Sequence, residues 1–335
     1  MSGETGRRPT VLAVWVALVT VYLVWGSTYL AIRVVVETAP PLLAMGVRFL
    51  LAGLLLGALI AVRKGPRALR VRPRQLGAAA TVGLLLLLGG NGGVAVAEQT
   101  VPSGIAALLV AATPLWLVCL RFAARDRPAP LSLLGTVVGF VGIAVLVRPG
   151  ASLGEGVETW GLVTVVGAAA SWALGSFLSS RIPLPGDAFV ATTWEMLAGG
   201  TALLVAGAAS GELGDLALGD VAVEAWAWLA YLVVVGSIVA FSAYVWLLQN
   251  APISLTATYA YVNPVVAVIL GAIVLQEPID PRTILAGAVI IGAVALIVTA
   301  RGRMSAPRRA PAAVSPPPGP SARPVAPTPS RSASD

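Results

Sequence analysis

Histidine is missing from all 335 residues, and the chain has a single cysteine, Cys119, and a single lysine, Lys64. The first absence removes imidazole metal sites, Ser-His-Asp triads and histidine proton relays together. A lone cysteine has no intrachain disulfide partner and cannot assemble a thiol zinc site, so Cys119 reads as a small packing residue. No G-x-x-x-x-G-K-[ST] loop surrounds Lys64, which argues against direct use of ATP. Clustered carboxylates for metal or acid-base work are also lacking, so an enzyme is disfavoured and no metal or cofactor is expected. Charge is scarce, at 11% of residues against 57% hydrophobic. With apolar runs such as 11–23, 84–88 and 289–298, that balance belongs to a chain whose solvent is the lipid bilayer.

Crossing about 30 Å of hydrocarbon at about 1.5 Å per residue takes roughly 20 residues. Windows of that length predict helices over 11–30, 40–62, 76–98, 102–122, 131–148, 159–180, 187–209, 226–249, 253–275 and 282–300. The pattern also repeats. At a shift of 150, Gln99 falls on Gln249, Pro102 on Pro252, Pro114 on Pro264 and Gly142 on Gly292, and Trp25-Gly26-Ser27 matches Trp172 to Ser176 with a small slip. Five helices per copy is an odd number, so the second copy must start from the opposite side of the membrane. The expected fold is therefore an all-α integral membrane bundle of ten helices in an inverted five-plus-five repeat. Its expected parts are an N-terminal segment 1–10, a first repeat 11–150, a second repeat 151–303 and a disordered tail 304–335. The first span is too long for a cleaved signal and reads as a retained helix. Inverted halves that exchange conformations around a site between them are the build of secondary transporters.

Basic residues set the expected orientation. With a cytoplasmic N-terminus, 18 of them fall on the inner side and only Arg33, Arg148 and Arg282 on the outer side, as basic loops resist translocation. Both termini are thus expected in the cytoplasm, in the plasma (inner) membrane. The outer loops are acidic, with Glu155, Glu158, Glu212, Asp215, Asp220 and Glu224. The basic balance reflects this topology and contact with anionic lipid, and no nucleic-acid partner is expected.

Polar residues inside apolar spans are the candidates for function. Arg48 lies roughly 12 Å inside the second helix, placed to anchor an anionic group or to form a switching ion pair. Glu195 occupies the mirror-related depth of the seventh helix, and pairing with Arg48 is expected. It is also the candidate coupling residue for protons. Thr113-Pro114 and Asn263-Pro264 fall mid-helix at equivalent points of the two repeats, where each proline removes a backbone hydrogen bond and breaks the helix. Thr256, Tyr259 and Asn263 share one face by spacing and should line a cavity. Gly89-Gly90-Asn91-Gly92-Gly93 predicts close approach or local unwinding, with Asn91 facing substrate. Trp25, Ser27 and Tyr29, with Trp172 and Ser176, offer aromatic and hydroxyl surface to an organic solute. Glu98 and Gln99 are expected at a solvated helix end. Gly53-x-x-x-Gly57 and Gly135-x-x-x-Gly139 read as packing motifs.

Val24-Trp-Gly-Ser-Thr-Tyr-Leu30, Val47-Arg-Phe49, Pro102-Ser-Gly-Ile-Ala-Ala107 and Tyr261-Val-Asn-Pro-Val265 together resemble the EamA family of the drug/metabolite transporter superfamily, across both repeats. The resemblance implies helices 1–4 and 6–9 around a central cavity, with helices 5 and 10 peripheral. It also implies export of amino acids, metabolites or toxic compounds, downhill or driven by a gradient. A glutamate that many such repeats carry after the fourth helix is present as Glu277-Pro278 but is replaced by Arg127-Pro128 in the first copy. The combined reading is a secondary permease, an exporter of small organic solutes working by alternating access in the lipid bilayer, with protons as coupling partner. The rival is a lipid-linked carrier translocase or a membrane scaffold, which needs lateral openings instead of a closed polar cavity.

Overall fold

A computed structural model describes residues 10–126, 128–147 and 157–305. The expected N-terminal segment, apart from Thr10, lies outside the described residues, as do Arg127, Arg148, Glu155 and the tail from 306 on. Described residues form helices and connecting turns, with no strand among them. The long helices are α1 (Val11–Val36), α2 (Pro41–Lys64), α3 (Pro73–Ala97), α4 (Ser103–Ala123), α5 (Pro130–Val147), α6 (Thr159–Ser179), α7 (Ala188–Ala209), α8 (Val223–Asn250), α9 (Tyr259–Val274) and α10 (Pro281–Ser305). Among the described residues, nine are long and apolar enough to cross a membrane; α9, with 16 residues, is shorter. Proline opens α2, α3, α5 and α10, the first-turn position where its missing N–H costs nothing.

The expected span 253–275 is not one helix. A single turn, Ile253–Thr256, is separated from α9 at Ala257 and Thr258, where the bonds shorten to the third residue back, Ala260 N to Ala257 O and Tyr261 N to Thr258 O, both 3.2 Å. Pro264, expected to mark the break, sits inside α9. Disruption appears upstream because a proline crowds the turn before it, where its absent amide would have bonded. In α4 the break falls closer to its proline: α4 loses its ladder at Ala111 and Ala112, just before Thr113-Pro114.

Packing interlaces the two repeats. α1 lies against α8 and α9, α6 lies against α3 and α4, and α2 and α7 pack along each other, as do α5 and α10. Thus the first helix of each repeat is held by the third and fourth helices of the other. Small residues bring α2 and α7 together. A Cβ on Gly200 would stand 2.6 Å from the Leu50 amide nitrogen, and one on Gly46 would stand 2.7 Å from Leu204 Cγ. The Gly53/Gly57 motif also faces α7, at Leu197 and Thr193, and Gly135/Gly139 faces α10 at Ile297 and Ala293. Apolar side chains on the outside, such as Trp15, Val19 and Leu23 of α1 and Val137 and Val141 of α5, are exposed, as befits a surface solvated by lipid.

Cross-links define two ends. At one, Glu212 accepts from the amides of Leu42 (3.1 Å) and Leu43 (2.9 Å), Glu277 accepts from those of Ser103 (2.8 Å) and Gly104 (3.1 Å), and Thr38 Oγ1 accepts from Ala222 N (3.2 Å). At the other, Lys64 Nζ meets Asp187 at 2.5 Å, Trp194 donates to Leu69 O at 3.2 Å, and Asp126, paired with Arg121 at 2.7 Å beside it, reaches Arg181 after α6 at 4.0 Å. The Lys64 ammonium and the amides of Phe189 and Val190 hold the Asp187 carboxyl below the usual aspartate range.

Because the Gly200 approach is to rigid backbone, Gly200→Ala is expected to destabilise the bundle by about 1–3 kcal/mol through overpacking. Gly167→Ala, where a Cβ meets nothing within 4 Å, should be neutral or stabilising. Thermal unfolding in detergent compares the two, and equal melting temperatures would dismiss the α2–α7 contact as a constraint.

Candidate functional site

Helices α3 and α8 both depart from the regular ladder, at positions that overlap under the repeat shift. Leu84–Gly92 and Leu232–Val239 are π-helical, with bonds to the fifth residue back. The loosening expected at Gly89–Gly93 is therefore present and begins earlier, at Leu84. Wider turns leave carbonyls misaligned, and side chains supply donors to them. Asn91 Nδ2 donates to Leu86 O at 3.3 Å, and Ser237 Oγ donates to Leu232 O at 2.9 Å, each to the fifth residue back. Further donors come from the first helix of the opposite repeat: Ser171 Oγ to Leu85 O at 2.8 Å, and Trp25 Nε1 to Gly236 O at 3.3 Å. The equivalent tryptophans repeat the relation, since Trp172 packs on Gly90, where a Cβ would stand 2.8 Å from its ring.

Around Gly236 the expected site residues converge. Trp25, Tyr244 and Tyr259 form an aromatic trio, with centroid separations of 5.1 Å (Trp25–Tyr244), 5.2 Å (Trp25–Tyr259) and 5.6 Å (Tyr244–Tyr259), in the tilted and edge-on arrangements that aromatic pairs prefer. One turn beyond Tyr259, Asn263 is buried, and its Oδ1 has no hydrogen-bond partner among the described residues. Its main chain borders Gly26, whose added Cβ would stand 3.2 Å from Asn263 O. On the other side of Gly236, Arg48 donates from Nε to Ser237 Oγ at 3.2 Å and from Nη1 to Met45 Sδ at 3.7 Å. Ser27 Oγ and Tyr231 OH share a hydrogen bond of 2.7 Å beside this group. Tyr22 OH bonds Thr258 Oγ1 at the break before α9.

Other expectations come out differently. Thr256 does not continue the face of Tyr259 and Asn263, because the chain breaks between them; it is buried in its own turn and donates to Pro252 O at 3.4 Å. Arg48 and Glu195 form no ion pair. Gly46, Leu50, Gly53 and Gly57 of α2 meet α7, and Arg48, about 200° around the helix from Gly46, faces α8 instead. Glu195 is half-buried on α7, its main chain against Gly83 of α3. Glu98 is not a solvated helix end, being fully buried, whereas Gln99 beside it is exposed. Thr113 serves the backbone: its Oγ1 donates at 2.6 Å to Val110 O, the carbonyl that the Pro114 amide would have served. Tyr29 packs against the core around α4, and Ser176 is half-buried on α6 beside Gly175, which meets Leu85 and Leu86. Tyr231, Gly236, Ser237 and Tyr244 join the candidate cluster without having been singled out, although Gly236-Ser237 within an apolar run was a usable signal.

The profile of the EamA-like transporter family matches residues 12–148 and again 159–299. The inner membrane transporter YedA of Escherichia coli (strain K12) is 41% identical over 300 residues, covering 87% of this chain and 92% of YedA. The transporter YvbV of Bacillus subtilis (strain 168) is 25% identical over 296 residues, covering 82% of this chain and 88% of YvbV. A solved crystal structure superposes with a TM-score of 0.58 at 21% identity, over 88% of this chain and 100% of the other, a likeness of fold. The chain belongs to the EamA-like transporter family, a family of multi-pass membrane transporters built from two repeats.

Thr113→Val keeps shape but removes the donor to Val110 O, and should cost about 1 kcal/mol of stability, the net worth of one hydrogen bond. Unfolding midpoints in detergent measure this; a midpoint equal to wild type would mean that the freed carbonyl finds another partner.

Proposed function

We propose that this chain exports a small organic solute (a metabolite, amino acid or drug) by alternating access, from a site bounded by Trp25, Tyr244 and Tyr259 and by Asn263, Arg48 and Ser237. The observation that carries the reading is the buried Asn263 Oδ1, left without a partner among the described residues, beside an aromatic trio on a helix whose ladder is already broken. A polar atom held unsatisfied in an apolar interior is costly, and it is relieved when a ligand donates to it. Aromatic faces receive the apolar body of such a ligand, while Arg48 offers a cation whose hydrogen bonds are to a hydroxyl and a thioether. The mutual insertion of α1 and α6 into the opposite repeat supports an inverted pair of halves, and the wide turns of α3 and α8 supply places for them to flex. YedA and YvbV are transporters by name, which favours transport over a scaffold.

Asn263→Leu removes the unsatisfied group without adding charge and should abolish transport while leaving the protein monodisperse. Cells with and without the protein are compared by untargeted metabolite analysis, and the solutes that change are assayed in proteoliposomes. Wild-type rates in the variant would make the feature one of packing. The distribution of basic residues favours an orientation with both termini in the cytoplasm. In a Cys119→Ser background, Asp215→Cys should be labelled by an impermeant maleimide from outside and Ala68→Cys should be protected. The reverse pattern would invert the orientation and with it the assignment of the two ends.

A further inference from the structure

Glu98 follows the last turn of α3 at the end of the bundle that Glu277 and Glu212 tie together. It is 0% exposed, and neither carboxylate oxygen has a hydrogen-bond partner among the described residues. The titratable and charged groups that face it are Tyr29 and Arg33 from α1, Arg48 from α2 and Glu277 from beyond α9. α6 borders this corner through Gly161, against Thr100 and Val101, and adds no charge there. Both arginines are engaged elsewhere. Arg33 donates to the main-chain carbonyl of Glu98 and lies 3.5 Å from Glu37, and Arg48 donates to Ser237 and Met45. Glu277, already committed to the amides of Ser103 and Gly104, adds a like charge.

A carboxylate in that setting has lost its water and gained no donor, which disfavours the ionised form; a bound proton removes the charge. We propose that Glu98 holds a proton while this end of the bundle is closed and releases it to water when the end opens, making Glu98, not Glu195, the residue that links transport to protons. The step forms and breaks one O–H bond, with water as donor and acceptor of the proton, and needs no other reactant. It rests on the transport reading above, but its test does not require a known solute.

Infrared spectra of the purified full chain, titrated from mildly acidic to mildly alkaline pH, should show the carbonyl band of a protonated carboxyl persisting at neutral pH. That band should be lost in Glu98→Gln and kept in Glu195→Gln. Glu277→Gln keeps an oxygen for one of the two amides while removing the like charge, so the band should titrate lower, by on the order of one pH unit. Should Glu98→Gln fail to fold, Glu98→Asp should move the band to the aspartic acid position. A neutral-pH band unchanged in both Glu98 variants, or absent from the wild type, overturns the proposal. Either result leaves the transport reading to be judged separately by Asn263→Leu.

Discussion

Inside a bilayer a backbone carbonyl has no water to fall back on, so each departure from a regular helix must be met by a donor from elsewhere in the protein. Most of the polar residues in this interior answer that demand. Thr113 serves Val110 O, Asn91 serves Leu86 O, Ser237 serves Leu232 O, and Ser171 and Trp25 serve the wide turns of the opposite repeat. Satisfying the backbone and coupling the halves are thereby the same act. The donors from Ser171 and Trp25 fasten α6 to α3 and α1 to α8, so movement of either repeat must carry or break these bonds. Against that background Asn263 and Glu98, with the hydroxyls of Ser103 and Ser132, stand apart, because their side-chain oxygens serve no carbonyl and accept from no donor among the described residues.

A second constraint acts at the helix starts. Pro40 and Pro102 precede α2 and α4 and cannot cap them with a side chain. Carboxylates from the other repeat do so instead, Glu212 at Leu42 and Leu43, and Glu277 at Ser103 and Gly104. A negative group at a helix N-terminus also meets the favourable end of the helix dipole. This gives Glu277 a structural duty that its position after α9 did not disclose. It explains why one carboxylate at this end is held by donors while its neighbour Glu98 has none.

Membrane class and helix positions were legible in the sequence because hydropathy and length act locally. The predicted spans agree with the observed helices to within a few residues, apart from an α1 that runs on to Val36, an α10 that runs on to Ser305 and a ninth span divided before Tyr259. The division was misplaced because a proline says that a bond is missing but not where the chain will yield. The site was half legible. Intramembrane polar and aromatic residues singled out Trp25 and Arg48, which meet Gly236, and Tyr259 and Asn263, which meet Trp25 and Gly26 of α1. Helix facing was not legible: Arg48 was assigned to α7 by depth alone, whereas the glycine row at Gly46, Gly53 and Gly57 already claims that partner. Glu98 was misread for the same reason. Its place at the end of a span suggested water, and only tertiary packing buries it.

Because the repeats agree in outline and differ in detail, the two ends of the bundle are held by different chemistry. One end is fastened by carboxylates on helix amides, with a buried acid beside them. The other is fastened by solvent-accessible pairs, Lys64 with Asp187 and Asp126 with Arg181. Exposed pairs are weak and screened by salt, whereas carboxylate-to-amide contacts within a packed corner are screened less and need water to replace them. On the proposals made above for transport and for Glu98, opening of the first end is the step at which its buried carboxyl is hydrated. The two ends thus differ in what water must do, reaching a buried carboxyl at one and meeting pairs it already solvates at the other, although the two repeats share one architecture.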